Sequence, residues 1–196
     1  MNLQSLKQLI ARHNLQPGHR RVLAALLLTT FAVAVLAGSA LAAAGTNLVK
    51  NGSFEKDTNG DGMPNRWGGY LLSSADKRVS NTSAAGTWSF KMVANSYKNL
   101  TQFIFQPGLA GDSFTFSGWM KHKDLGVGGV RLAVVFEHTG GGDNYETIEF
   151  PAGTGAWAYH SVVATADANY DDIIVYLICD GTGGKLWVDK VKLVGP

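Results

Sequence analysis

Oxygen-bearing side chains stand at alternate positions in Asp57-Thr58-Asn59-Gly60-Asp61-Gly62. This spacing around a tight turn is that of the first half of a calcium loop, where carboxylate and amide oxygens converge on one ion. Counting twelve residues from Asp57 reaches Gly68, where an EF-hand places its bidentate Glu, so the loop alone does not complete such a shell. The competing reading is an Asx-rich turn, in which the same side chains bond the backbone of their own loop.

A second set of residues suits sugar recognition, which needs flat aromatic faces for pyranose C–H surfaces and planar polar groups that bond hydroxyls in pairs. Trp119 shares a strand face with Thr115, Ser117 and Lys121, opposite Phe114 and Phe116. Arg131 and Glu137 lie on the mixed face of another strand, Tyr97 and Asn99 have the parity of Phe103, and Tyr145 adjoins the Gly140–Gly142 turn. The candidate sugar-binding residues are therefore Trp119, Arg131, Glu137, Tyr97 and Tyr145. Trp67, Trp88, Trp157 and Trp187 read as core.

Catalysis has less support. Glu137, Glu146 and Glu149 are the carboxylates from which a small glycoside hydrolase would draw its pair, but no recognisable signature surrounds them. His122, His138 and His160 lack zinc-motif spacing, and no Ser/His/Asp pattern stands out. The sole cysteine, Cys179, sits in an apolar strand and reads as a small buried hydrophobe. Asn51, Asn81 and Asn99 head Asn-x-Ser/Thr triplets, which chance explains as well as glycosylation does. No catalytic residue is expected.

The elements that position these groups are strands. Phe114, Phe116, Gly118 and Met120 alternate with Thr115, Ser117, Trp119 and Lys121, and Leu132, Val134 and Phe136 alternate with Arg131, Ala133, Val135 and Glu137. Further strands are predicted at 48–54, 88–93, 100–105, 145–150, 158–165, 173–179 and 186–194, separated by glycine clusters. No helical period follows Gly45, so the sequence predicts an all-β sandwich of two antiparallel sheets over residues 45–196.

Residues 1–44 read differently. Lys7, Arg12, Arg20 and Arg21 precede an apolar run from Val22 to Ala37 and a small-residue tract ending at Ala44. Basic, apolar and small regions in that order predict a secretory signal cut after Ala42 or Ala44, or an uncleaved anchor helix, with the domain outside the cell in either case. Membrane contact is expected only through that segment. Of 17 basic residues these four lie in the leader, leaving 13 against 15 acidic, a net of −2. Such a domain lacks the positive field of a nucleic-acid binder.

Asn47-Leu-Val-Lys-Asn-Gly-Ser-Phe-Glu55, Met63-Pro-Asn-Arg-Trp67 and the closing Leu186-Trp-Val-Asp189-Lys-Val-Lys-Leu193 together resemble the jelly-roll carbohydrate-binding modules of families four, nine and twenty-two, with their galactose-binding-like fold. Gly86-Thr-Trp-Ser-Phe90, Gln102, Pro107-Gly108, Ser113 to Lys121 and Trp157 fall in the matching order. The resemblance implies a secreted, non-catalytic module whose partner is a polysaccharide or cell-surface glycan. It also implies a structural calcium near the terminal strands, with Glu55 and Asp189 as carboxylate ligands beside Asp57, Asn59 and Asp61. A surface-structural, adhesive or filament-forming subunit that self-associates is the alternative, and a small jelly-roll glycoside hydrolase the second.

Overall fold

A computed structural model describes residues 45–181 and 183–195; the signal or anchor segment expected at 1–44 lies outside them. The described residues form ten strands and no helix. They are β1 (Gly68–Tyr70), β2 (Lys77–Val79), β3 (Ser89–Val93), β4 (Tyr97–Ile104), β5 (Ser113–Leu125), β6 (Val130–His138), β7 (Asp143–Glu149), β8 (Gly153–Thr165), β9 (Tyr170–Asp180) and β10 (Lys185–Val194). All pairings are antiparallel, in two five-stranded sheets ordered β1-β4-β9-β6-β7 and β2-β3-β10-β5-β8.

The core lies between the sheets and follows from strand alternation. Leu132, Val134 and Phe136 of β6 and Ile173, Val175, Leu177 and Cys179 of β9 meet Phe114, Phe116 and Met120 of β5 and Leu186 and Val188 of β10, all buried. Phe54 packs on Trp67 and Phe90 with centroid separations of 5.5 and 5.9 Å. Gly118 sits on the core face of β5 because a Cβ there would come within 2.8 Å of Leu132 Cδ1.

A bulge breaks the alternation of β10. Leu186 and Val188 face the core, and unbroken alternation would send Lys190 and Lys192 after them. The register shifts between Asp189 and Lys192, Lys190 takes φ 49°, and Val191 and Leu193 return to the core instead.

Two expectations need correction. Residues 48–54 do not form a strand. Asn47 makes an isolated bridge to Val194, Leu48 N–H donates to the Leu193 carbonyl, and the chain then turns with Asn51 at φ 51° and Phe54 at φ 57°. Gly52 enters the bend because it must press against β10, where a Cβ would meet the Val191 carbonyl at 2.1 Å. The short β1 and β2 were not expected. Between them, Asp76 accepts from Ser73 and Val93 N–H and pairs with Lys98 Nζ at 2.9 Å, both side chains almost fully buried, which joins this connection to β3 and β4.

Candidate functional site

The outward face of the first sheet is built by parity. Residues of β4, β9, β6 and β7 whose neighbours fill the core must themselves point away from it, and cross-strand pairing sorts them into rows. Tyr70, Asn99, Ile178, Arg131 and Glu149 form one row, and Gly68, Thr101, Tyr176, Ala133 and Thr147 the next. Phe103, Ile174, Val135 and Tyr145 form a third, and Asp172, Glu137 and Asp143 a fourth. From β4 to β7 the face is about 14–15 Å wide.

Aromatic rings flank it. Tyr70, Tyr97, Phe103 and Tyr145 are 56, 49, 54 and 67 % exposed. Tyr70 and Tyr97 meet edge to face at 6.2 Å, and Phe103 lies nearly parallel to Phe105, 6.4 Å away. Large aromatics exposed together on one face are the informative exception to burial.

Polar groups stand at both ends of the rows. Arg131 pairs with Asp180 at 2.7 Å while remaining partly exposed, and Thr101 Oγ1 donates to Asn99 Oδ1 at 2.8 Å. At the far end, burial and then the charges of Asp143 and Asp172 raise the Glu137 carboxyl above its ordinary range. Burial and the charge of Glu137 likewise raise the Tyr176 phenol. The face thus offers stacking surfaces at its flanks and hydroxyl-binding groups between them, the pairing that sugar recognition requires.

Tyr97, Arg131, Glu137 and Tyr145 lie on this one outward face, with Tyr97 and Glu137 at its opposite ends about 26 Å apart along the strands, and Trp119 does not join them. It lies on β5 in the second sheet, half-buried on that sheet's outer face opposite Tyr159, with centroids 5.9 Å apart. The sandwich separates it from the other four. Its parity identified the face of its own strand correctly and said nothing of which sheet held that strand. Tyr70, Phe103, Phe105 and Tyr176 were missed as site residues. The alternation of Tyr176 with Val175 and Leu177, and of Phe103 with Gln102 and Ile104, carried the signal for two of them.

The glutamates do not form a glycosidase pair. Glu149 lies opposite Arg131, six residues along β6 from Glu137, which is about 20 Å. Paired glycosidase carboxylates stand about 5–9.5 Å apart. Glu146 pairs with the core residue Val134 and so has the opposite parity.

For an ion, the two parts of the expected ligand set behave differently. Asp57 is occupied: its oxygens accept from Gly60 and Gly62 N–H and pair with Arg78 at 3.2 Å. Burial opposes ionisation there, but those amides and the guanidinium hold the carboxyl below its ordinary range. Asp61 accepts from Met63 N–H and Asn59 Nδ2. This geometry is the Asx-rich turn, with the oxygens directed at their own loop. Among the described residues no three His, Cys, Asp or Glu side chains gather as a metal cluster.

Glu55 and Asp189 instead grip one loop from two points. Asp189, fully buried, accepts from Ala84, Ala85 and Lys190 N–H. Glu55 Oε1 accepts from Thr87 and Trp88 N–H. Burial, and also the charge of Glu55, raise the Asp189 carboxyl above its ordinary range despite three N–H donors. Two carboxylates converging beneath a single loop are a donor set that a divalent oxygen-seeking cation fits.

No family model matches the sequence, and no curated protein does. Among solved structures, a family 16 carbohydrate-binding module is 20 % identical with a TM-score of 0.60, covering 76 % of this chain and 99 % of its own. The fold is that of the jelly-roll carbohydrate-binding modules. A family 61 module in complex with β-1,4-galactotriose is 18 % identical with a TM-score of 0.53, over 77 % of this chain and 99 % of its own. The family 22 xylan-binding domain from Paenibacillus barcinonensis Xyn10C is 13 % identical with a TM-score of 0.54, over 79 % of this chain and 97 % of its own.

Proposed function

We propose that residues 45–196 are an extracellular, non-catalytic carbohydrate-binding module that holds a polysaccharide chain across the outward face of the first sheet. Four exposed aromatics flanking rows of hydroxyl-binding groups on one face carry this reading. The fold shared with galactotriose- and xylan-binding modules supports it, as does the export signal read in residues 1–44. One structural calcium, held by Glu55 and Asp189 with loop carbonyls, belongs to the proposal as a fastening for the fold.

The test is a glycan array followed by calorimetry on the glycans retained. Tyr97→Ala and Tyr145→Ala should each weaken binding by about 1–3 kcal/mol, taking aromatic stacking on bases as the analogy. Melting temperature should barely move, because both rings are already half exposed or more. Trp119→Ala should leave affinity unchanged. Affinity insensitive to both tyrosines, or release of reducing ends from the bound glycan, would overturn the reading.

A second reading, self-association, has one observation in its favour. β8 is an edge strand of 13 residues, paired only with β5, and contains no Lys, Arg, Asp, Glu or Pro. Edge strands usually carry such residues to block pairing with another copy.

A further inference from the structure

A cleft of about 910 Å³ opens beside the aromatic face, lined by the turn after Asn47 and by the end of β4. Phe103 belongs to both, so the cleft continues the face at the β4 side. Lys50, Lys56 and Arg66 line it, and among the described residues none of the three takes part in an ion pair. Glu55 is the sole carboxylate of the lining, and its Oε1 is engaged by the Thr87 and Trp88 amides. Three unpaired cations therefore gather at one cleft of a domain whose net charge is −2.

The walls are built rather than draped. Asn51 Nδ2 donates to the Lys56 and Asn65 carbonyls while its Oδ1 accepts from Lys56 N–H, so one side chain ties three segments of the loop together. Asn65 Oδ1 accepts from Thr58 N–H, and Trp67 Nε1 donates to the Asn51 carbonyl. Between Asn65 and Trp67 the backbone holds Arg66 at φ 76°, a left-handed conformation that a long side chain adopts only at a cost. Phe105 forms the remaining wall at 83 % exposure. An ordered cleft with unpaired cations, a strained Arg and a bare ring has the composition of a binding pocket for an anion attached to an apolar or ring-shaped body.

The geometry points to a subsite for an acidic sugar: a residue bearing a carboxylate or sulfate stacks against Phe103 and Phe105 while Lys50, Lys56 and Arg66 pair with its negative group. Arg66 supplies the planar fork that matches either oxyanion, and the lysines supply point charge. This inference rests on the glycan-binding reading and narrows it to anionic polysaccharides.

The experiment compares matched polymers by calorimetry with the purified protein. Polygalacturonate, glucuronoxylan and alginate are each set beside their carboxyl-reduced forms, and a sulfated galactan beside its desulfated form, at two salt concentrations. At least one acidic polymer should bind about tenfold or more tightly than its neutral counterpart, with the advantage shrinking at higher salt. The pair that shows it identifies carboxylate or sulfate. The Lys50→Gln/Lys56→Gln/Arg66→Gln variant should keep its melting temperature and its affinity for the neutral chain but lose that advantage. Equal binding of every acidic and neutral pair, or an advantage that survives the triple variant, overturns the subsite and leaves the face reading intact. Binding of no polymer of either kind by folded protein overturns both.

Discussion

Glu137 lies between Asp172 and Asp143 in one row of an exposed sheet, and its raised carboxyl pKa has a stability consequence whose sign is definite. The folded state holds a proton on Glu137 more tightly than the unfolded chain does. Stability therefore falls as pH rises through the window between the unfolded value and the raised folded value, and the penalty is fully present above it. Glu137→Gln should melt about 1–3 °C higher than the native protein at pH 7, and the difference should shrink on acidification through that window and vanish below the unfolded value. Thermal melts across pH 3.5–7.5 check this; a variant less stable than the native protein at pH 7 contradicts it. Under the proposed function the same row of three carboxylates accepts hydrogen bonds from sugar hydroxyls.

At the scale of the strand, β8 offers a test of the competing reading. If its uncharged edge pairs with a second copy, Val163→Lys or Ser161→Pro should convert an associated species to monomer by analytical ultracentrifugation, and glycan affinity should stay constant. A protein monomeric at high micromolar concentration removes the self-association reading. The long strands were legible because β5 and β6 each set an apolar face against a mixed one, and β9 carries an unbroken hydrophobic run from Ile173 to Cys179. β1 and β2 have three residues each, too few for a period to register, and β1 opens on Gly68-Gly69. The apolar content of 48–54 suggested a strand, but burial there comes from a bend against β10 rather than from pairing. In β10 the apolar residues pass from Leu186 and Val188 to Val191 and Leu193, and that break in parity announces the bulge. The site was half legible for a related reason: alternation assigns a side chain to a face of its strand, while membership of a sheet depends on pairing between segments distant in sequence, as for Trp119.

For the whole domain, the connection running from β2 to β3 is fastened by carboxylates from two remote places in the chain, Glu55 near the start and Asp189 near the end. With Asp189 raised by burial and by Glu55, the ion-free protein loses stability as pH rises through that carboxyl's window, and a cation between the two groups opposes the loss. Adding millimolar calcium to chelator-treated protein should raise the melting temperature by preferential binding to the folded state. The shift should be larger at pH 7 than at pH 4.5, where protons compete, and absent in Asp189→Asn, which keeps an acceptor for the Lys190 amide. No shift at either pH removes the calcium. The bridge between Asn47 and Val194, with Leu193 N–H donating to Asn47 Oδ1 at 3.0 Å, bears on the domain as a unit of assembly. Polypeptide enters and leaves the sandwich at one point on its surface, so a short peptide could join residue 195 to residue 45 and new ends could be opened at the exposed Gly140–Gly142 turn without disturbing any core strand. The same adjacency lets the domain be spliced into a surface loop of a host protein as a side branch, adding a binding face while leaving the host's own path through space almost unchanged.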